Sequence, residues 1–481
     1  MRARIVAAVL LTAAVGQGQQ TTPPAPAEPR QATLPAAVEK TLDNGLRVIV
    51  VTKHDVPLVS ARLMVKAGSE ADQPSLGGLA SLTASLLTQG TATRSAEQIA
   101  RGVEALGATL DAGAGWDASN VSVTVLSNRF AEAMTFVADV VRNPSFKPEE
   151  IERLRGQSID AVRVSLQEPL SVAQHVAARI VFPGEPYGHT VAGTPESLER
   201  IQREQIAAFH ERYYRPENAV LVVAGDVKPA AAFATAGKLF GSWRRRSGAL
   251  AIIQLKKPAE EAGPRVVVID MPDAGQAAVL VTRRGLRRVD PLYYPAIVAN
   301  SVLGGSYSAR LNQEIRIKRG LSYGANSSFD LRREPGPFTA ATQTKNESAA
   351  EVAGIIVDEL HRLATVELPR TELGPRKAVL TGNFGRSLET TEGIVGRIAA
   401  LVLYGLPLKE IEAFVPAVQN VTGDAVKKFA ASHLAATSIV IVGNASEFLE
   451  PLRKRFGEVE VIPIEELDLE APALRTLKDA A

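Results

Sequence analysis

The chain is 481 residues long, 46% hydrophobic and 22% charged, which is too long for one ordinary core and has the composition of a globular protein. With 54 basic and 52 acidic residues the formal net charge is only +2, so nothing in the balance calls for nucleic acid or an anionic membrane. The absence of cysteine excludes disulfides, thiolate metal sites, a cysteine nucleophile and a lipid anchor on cysteine.

Met1-Arg2-Ala3-Arg4 is a basic opening, and residues 5–15 are an apolar stretch of signal-peptide length, far short of a membrane span. Ala14-Val15-Gly16 offers small residues for cleavage, so 1–16 reads as a signal peptide for export to a periplasm. Residues 17–37, rich in Gln, Thr, Pro and Ala, read as a disordered leader that cannot bury a core. No other segment approaches about 18 uninterrupted apolar residues, so no membrane partner is expected.

Strands are expected at 46–51 and 59–65, followed by a helix over 76–87. Pro148-Glu149-Glu150 starts another helix, with proline and acids in its first turn. A helix over 203–213 and a buried-looking strand over 219–226 close this unit, 38–246. Residues 247–264, with Ser247-Gly248, Lys256-Lys257-Pro258 and Gly263-Pro264, break the periodicity and read as a linker. The same order then recurs over 265–460: strands at 266–269 and 277–281, helices at 293–303 and 423–433, and a strand at 438–444, before a tail at 461–481. Strands mixed with longer amphipathic helices predict an α+β fold. It comprises two homologous α/β-sandwich units, helices packed on a mostly antiparallel sheet, joined by the linker.

Several segments stand in a telling order and spacing. They are Leu42-Asp43-Asn44-Gly45-Leu46-Arg47-Val48, Ala67-Gly68-Ser69, Gly77-Gly78-Leu79-Ala80 running to Gly90-Thr91, Pro183-Gly184-Glu185-Pro186-Tyr187-Gly188, Tyr214-Arg215-Pro216-Glu217-Asn218 and Leu303-Gly304-Gly305. The arrangement, spread over most of the chain, resembles the pitrilysin, insulysin and mitochondrial-processing-peptidase family. In active members the helix after Gly-Leu-Ala carries His-x-x-Glu-His. Histidines at i and i+4 share one helix face and grip zinc, and the glutamate is general base to the metal-bound water. Here Ser81, Ala84 and Ser85 stand at those three positions. Serine hydroxyls keep their proton near neutral pH and are poor zinc ligands, and Ala84 offers no base. The later helix that should add an acidic ligand shows Asp160 but no glutamate near 159–166. None of the six histidines (His54, His175, His189, His210, His361, His433) has paired ligand spacing, and each reads as a surface or satisfied core residue. No metal or other cofactor is therefore expected in this chain. No Gly-x-Ser-x-Gly elbow or convincing Ser-x-x-Lys set offers another route to hydrolysis.

The second unit carries Asn312-Gln313-Glu314-Ile315-Arg316-Ile317-Lys318-Arg319-Gly320-Leu321-Ser322-Tyr323. In the family the matching segment supplies an Arg and a Tyr that reach into the active site of the zinc-bearing half; carried over, these are Arg316 and Tyr323. The resemblance implies substrate binding: the tyrosine donates to a developing oxyanion and the arginine clamps peptide carbonyls. Read from this chain alone, Arg316 could instead pair with an acid such as Glu314, and Tyr323 could pack at a strand start. Residues 113–121 resemble the family's exposed strand edge, where an extended peptide joins the sheet, although Gly and Ala there also suit a bulge or a tight packing contact. The linker falls where the family hinges its chamber.

The resemblance thus implies a zinc-less subunit of a heteromeric metallopeptidase acting on unfolded peptides, with zinc in a homologous partner that bears the intact motif. A structural or peptide-binding protein of the same fold is the alternative, and a self-sufficient homodimer with unfamiliar catalysis a third. Arg316 together with Tyr323 favours the first, since a pure scaffold needs neither.

Overall fold

The computed structural model describes residues 35–245 and 263–475. The expected signal peptide and nearly all of the leader, most of the linker and the end of the tail lie outside the described residues.

The first unit contains strands β1 (Ala37–Thr41), β2 (Arg47–Thr52), β3 (Leu58–Val65), β4 (Thr109–Ala114), β5 (Ser119–Leu126) and β6 (Ala219–Gly225). Its helices are α1 (Leu79–Leu86), α2 (Ala96–Ala105), α3 (Phe130–Arg142), α4 (Pro148–Ser165), α5 (Pro169–Val181), α6 (Pro195–Arg200), α7 (Arg203–Tyr213) and α8 (Pro229–Phe240). The second unit contains β7 (Val266–Asp270), β8 (Ala277–Arg284), β9 (Ala325–Phe329), β10 (Pro337–Thr344), β11 (Ser438–Gly443) and β12 (Glu460–Pro463). Its helices are α9 (Tyr293–Leu303), α10 (Ala349–Thr365), α11 (Arg370–Ser387), α12 (Thr391–Leu403), α13 (Glu410–Asn420), α14 (Gly423–His433) and α15 (Leu449–Phe456).

Each unit builds one six-stranded sheet, in the orders β1-β2-β6-β3-β5-β4 and β12-β7-β11-β8-β10-β9. Pairing is antiparallel except for β2 with β6, β7 with β11 and β7 with β12. From the second strand inward the two orders are the same, as a duplication requires.

Strand periodicity sends alternate residues to opposite faces. In β2, Val48 and Val50 join a core with α1, α3, α7 and α8, while Ile49 and Val51 enter a different core on the other face. Every residue of β6 is buried. That explains why 219–225 reads as a continuous apolar run rather than an alternating one.

The helix that covers the second face of each sheet comes from the other unit. Helix α12 lies on β3 and β6, with the hydroxyls of Ser60 and Thr391 2.8 Å apart. Reciprocally, α5 lies on β8 and β11, setting Val172, Ala173 and Val176 against Ala278, Leu280, Val440 and Val442. Beyond β12 the chain crosses back over the first unit. There Glu470 accepts from Thr194 at 2.9 Å and pairs with Arg200, and Leu474 is fully buried. The halves therefore share cores, and the hinge expected at 247–264 has no free halves to swing.

Candidate functional site

Helix α1 begins where the sequence places Gly77-Gly78. Gly78 has φ +93°, a left-handed conformation, and a Cβ there would come within 2.8 Å of the Ala192 carbonyl oxygen. The Asp72 carboxylate accepts from the backbone N–H of Gly78 (2.9 Å) and of Ala80 (2.8 Å), satisfying orphan donors at the helix start. Burial pushes the Asp72 carboxyl up to about 8 against the pull of those N–H groups. The helix is accordingly shorter than the expected 76–87, because glycine and the carboxylate cap fix its beginning.

Ser81 and Ser85 lie one turn apart and are half-buried, Ala84 is fully buried, and buried Thr83 has no partner for its hydroxyl. Asp160, on α4, points away into solvent with its side chain 78% exposed and 3.8 Å from Arg163. Among the described residues no group of three His, Asp or Glu could hold a metal ion. Zinc does not fit α1, whose hydroxyls and methyl supply neither anionic nor imidazole donors.

The histidines lie outside α1. His54 pairs with Asp226 at 2.5 Å on the surface, His210 meets the Val141 carbonyl at 2.8 Å, and His433 stacks on Phe429. His189 sits between the carbonyls of Thr190 and Ser69 at 2.9 and 3.0 Å. Burial depresses the His175 imidazole to about 4, and His361 is exposed.

Two strand edges differ in a way that matters for peptides. Strand β4 ends the first sheet, pairs one-to-one with β5 from Thr109↔Thr124 to Ala114↔Ser119, and has no bulge. Nothing lies within 4 Å of where a Gly113 Cβ would be, so its glycine marks open space rather than a packing contact. The expected edge at 113–121 is thus β4 and its turn, with Val121 inside on β5. Its counterpart β9 is closed: Ser327 N–H donates to the Gly304 carbonyl (3.2 Å) and Ala325 N–H to Asn312 Oδ1 (2.9 Å). A side chain at Gly304 would strike the Ser327 nitrogen at 2.4 Å, which accounts for Leu303-Gly304-Gly305. Of these two edges, β4 is the one left free to take an added strand.

The turn after β4 is held by the second unit. Asp117, 4% exposed, accepts from Tyr187 OH (2.5 Å) and Arg333 N–H (2.7 Å), and its carbonyl accepts from the Arg333 guanidinium (3.0 Å). Arg332 lies over both Trp116 and Tyr187, its guanidinium 3.9 and 4.6 Å from their ring centres. Burial and the Asp117 carboxylate push the Tyr187 phenol well above its ordinary range. Burial, with Asp117 adding, raises Glu70 to about 8; its Oε1 lies 3.6 Å from Arg333. Sequence reasoning missed Glu70, Asp117, Arg332 and Arg333, whose partners are far apart in the chain; the Arg332-Arg333 doublet was the only local signal.

Arg316 sits in a π-helical turn, Asn312–Ile317, closed by a bond from Lys318 N–H to the Gln313 carbonyl (3.0 Å). Such turns are rare and enriched at functional sites. Glu314 is engaged by Lys318 and Arg319 instead, at 2.5 and 2.7 Å, so Arg316 does not pair with it. Among the described residues Arg316 has no carboxylate partner. Tyr323 is 89% exposed, two residues before β9, and does not pack at the strand start. Arg316 is half-buried with its guanidinium over the Tyr307 ring, and Tyr323 stands open to solvent.

Two sequence profiles match the chain: "Insulinase (Peptidase family M16)" over residues 47–195 and "Peptidase M16 inactive domain" over 200–378, together more than half of its length. Uncharacterized zinc proteases of Mycobacterium bovis and Mycobacterium tuberculosis are each 29% identical over 406 residues, 84% of this chain and 92% of theirs. A crystal structure of a peptidase M16 inactive domain from Pseudomonas fluorescens is similar with TM-score 0.78 at 29% identity, covering 85% of this chain and 98% of that one. A protease from Helicobacter pylori shares the fold, with TM-score 0.81 at 19% identity over 85% and 100% of the two chains.

Proposed function

Because the chain belongs to peptidase family M16, we propose that it is the zinc-less subunit of a heteromeric metallopeptidase exported to a periplasm. It supplies half of a chamber and the Arg316–Tyr323 pair, while a homologous partner subunit carries His-x-x-Glu-His and the zinc. The substrates are unfolded peptides, since a closed chamber admits extended chains and a free β4 edge pairs with any backbone.

One observation carries this reading: among the described residues Arg316 has no carboxylate partner and Tyr323 is 89% exposed, on a chain whose own α1 places two serines and an alanine at the ligand and base positions. A tyrosine O–H can donate to the oxyanion that forms at a scissile carbonyl, and a guanidinium can hold a neighbouring carbonyl. Neither role needs metal in the same chain. Export rests on residues 1–16, whose basic opening and short apolar stretch fit a cleavable signal.

The open β4 edge also supports a second reading, a peptide-binding protein without a part in hydrolysis. Peptide hydrolysis is measured for this chain alone with zinc, for a homologous chain of the same organism that bears His-x-x-Glu-His, and for the mixture. Activity in the mixture well above the partner alone is expected. No gain on mixing moves the assignment to the binding protein, and hydrolysis by this chain alone contradicts both readings.

A further inference from the structure

The second unit invests several contacts in one exposed side chain that the M16 pair does not include, Tyr307. Its ring lies 4.7 Å from the Arg316 guanidinium carbon, in cation–π contact, although Tyr307 itself is 60% exposed. An exposed tyrosine on a loop normally samples many orientations, so what fixes this loop decides whether the contact persists.

The fixing comes from both sides of Tyr307. Arg376, on α11, donates to Ser306 Oγ at 3.0 Å and to Ser308 Oγ at 2.7 Å, and also to the Ser308 carbonyl. One guanidinium therefore grips the residue before Tyr307 and the residue after it. Further along, buried Arg310 forms a two-pronged pair with Glu372, also on α11, at 2.7 and 2.9 Å. The loop entering the π-helical turn is thereby pinned at three residues to one helix. Charges nearby are arranged to leave Arg316 unclaimed: Glu314 is taken by Lys318 and Arg319, and Glu372 by Arg310.

We infer that Tyr307 is a positioning residue for Arg316: it stacks on one face of the guanidinium and leaves the N–H edge turned outward for a carbonyl of an extended peptide. An aromatic face is suited to this task, since it restrains a planar cation without consuming any of its five donors. A carboxylate in its place would hold Arg316 more tightly but would occupy the donors that the substrate needs. In the same segment Ile317 is 52% exposed and Tyr323 89% exposed, so a cation without a carboxylate partner is joined to uncovered apolar surface. The inference rests on the proposed two-chain function for its catalytic consequence, but the geometry can be tested without it.

Two measurements separate these. In the active mixture, Tyr307→Leu is expected to lower kcat/KM about twofold to fivefold, the size of an exposed cation–π contact, with Tyr307→Phe restoring it. In an Arg316→Ala background, Tyr307→Leu should bring no further loss. Equal losses in both backgrounds would mean that Tyr307 acts independently of Arg316 and would overturn the inference. The second measurement uses this chain alone: NMR of the Arg316 side chain, whose protons should be shifted upfield by the ring in wild type and Tyr307→Phe and released in Tyr307→Leu. Identical Arg316 shifts in wild type and Tyr307→Leu also refute the positioning role. If the wild-type mixture shows no activity, the two-chain reading fails, and the NMR comparison still decides whether Tyr307 holds Arg316.

Discussion

Glu70 is 2% exposed, accepts a hydrogen bond from Gly68 N–H, and lies near both Asp117 and Arg333. Burial lifts its carboxyl from 4.5 to about 8, with Asp117 adding to the rise and Arg333 opposing it. The folded chain then keeps a proton that the unfolded chain gives up near 4.5. Stability from this source is present below about 4.5, falls as pH rises toward 8, and is level above that. Glu70→Gln, which holds no titratable proton, should flatten the decline of the denaturant midpoint between those limits. Asp72, raised for the same reason, should leave a residual slope. A midpoint falling as steeply in the variant as in wild type would show that Glu70 is ionised in the fold. Gly78→Ala should cost about 1–3 kcal/mol in the same assay, because the left-handed backbone and the Ala192 carbonyl both reject a methyl. At this scale the sequence was partly legible. Ser81, Ala84, Ser85, Arg316 and Tyr323 were singled out by the family resemblance of two local segments. Glu70 and Arg333 did not, because a charge acquires its partner only when turns 216 residues apart meet, as at Asp117.

Helices with clear stop signals are read well from local chemistry. The helices expected at 203–213, 293–303 and 423–433 match α7, α9 and α14 end to end. For α14 the reason is visible: the Thr422 hydroxyl accepts from Ala425 N–H, so the helix starts where a capping residue stands. Which element covers which sheet is not local information. An amphipathic α12 looks alike in sequence whether it serves its own unit or the other. Its buried residue Ile398 belongs to a core that also contains Ile49, Met64 and Val222 of the first unit. Ile398→Ala should therefore cost about 2–5 kcal/mol. Because the cores are shared, calorimetry of wild type should show one cooperative transition for the two units. Two well-separated transitions, with only the second shifted by Ile398→Ala, would mean that the exchange of helices contributes little.

For the molecule as a whole, the order of elements and the duplication were legible, since each unit repeats the same strands and helices at the same spacing. The relation between the units was not, and it decides what the chain can be. With shared cores the two units form one body, and the chamber of the proposed function is one that a second chain would complete. Arg316→Ala or Tyr323→Phe should lower turnover of the mixed complex by about tenfold to a thousandfold, the range for losing one transition-state donor. Tyr323 is 89% exposed, and Arg316 is half-buried with no carboxylate partner among the described residues, so thermal midpoints of the isolated variants should stay close to wild type. Unchanged turnover in both variants would remove the shared site. No helix of the described residues is long and apolar enough to cross a membrane.

The reciprocal placement of α5 and α12 gives the protein the anatomy of a dimer whose two subunits happen to be fused. Fusion then matters for stoichiometry more than for cohesion, since each half is held by a helix it lends and a helix it borrows. Fragments 35–245 and 263–475, produced together from separate reading frames, should find each other and co-purify as a stable pair. Either one produced alone would expose a sheet face lined with valine, isoleucine and leucine and should precipitate or recruit a second copy of itself.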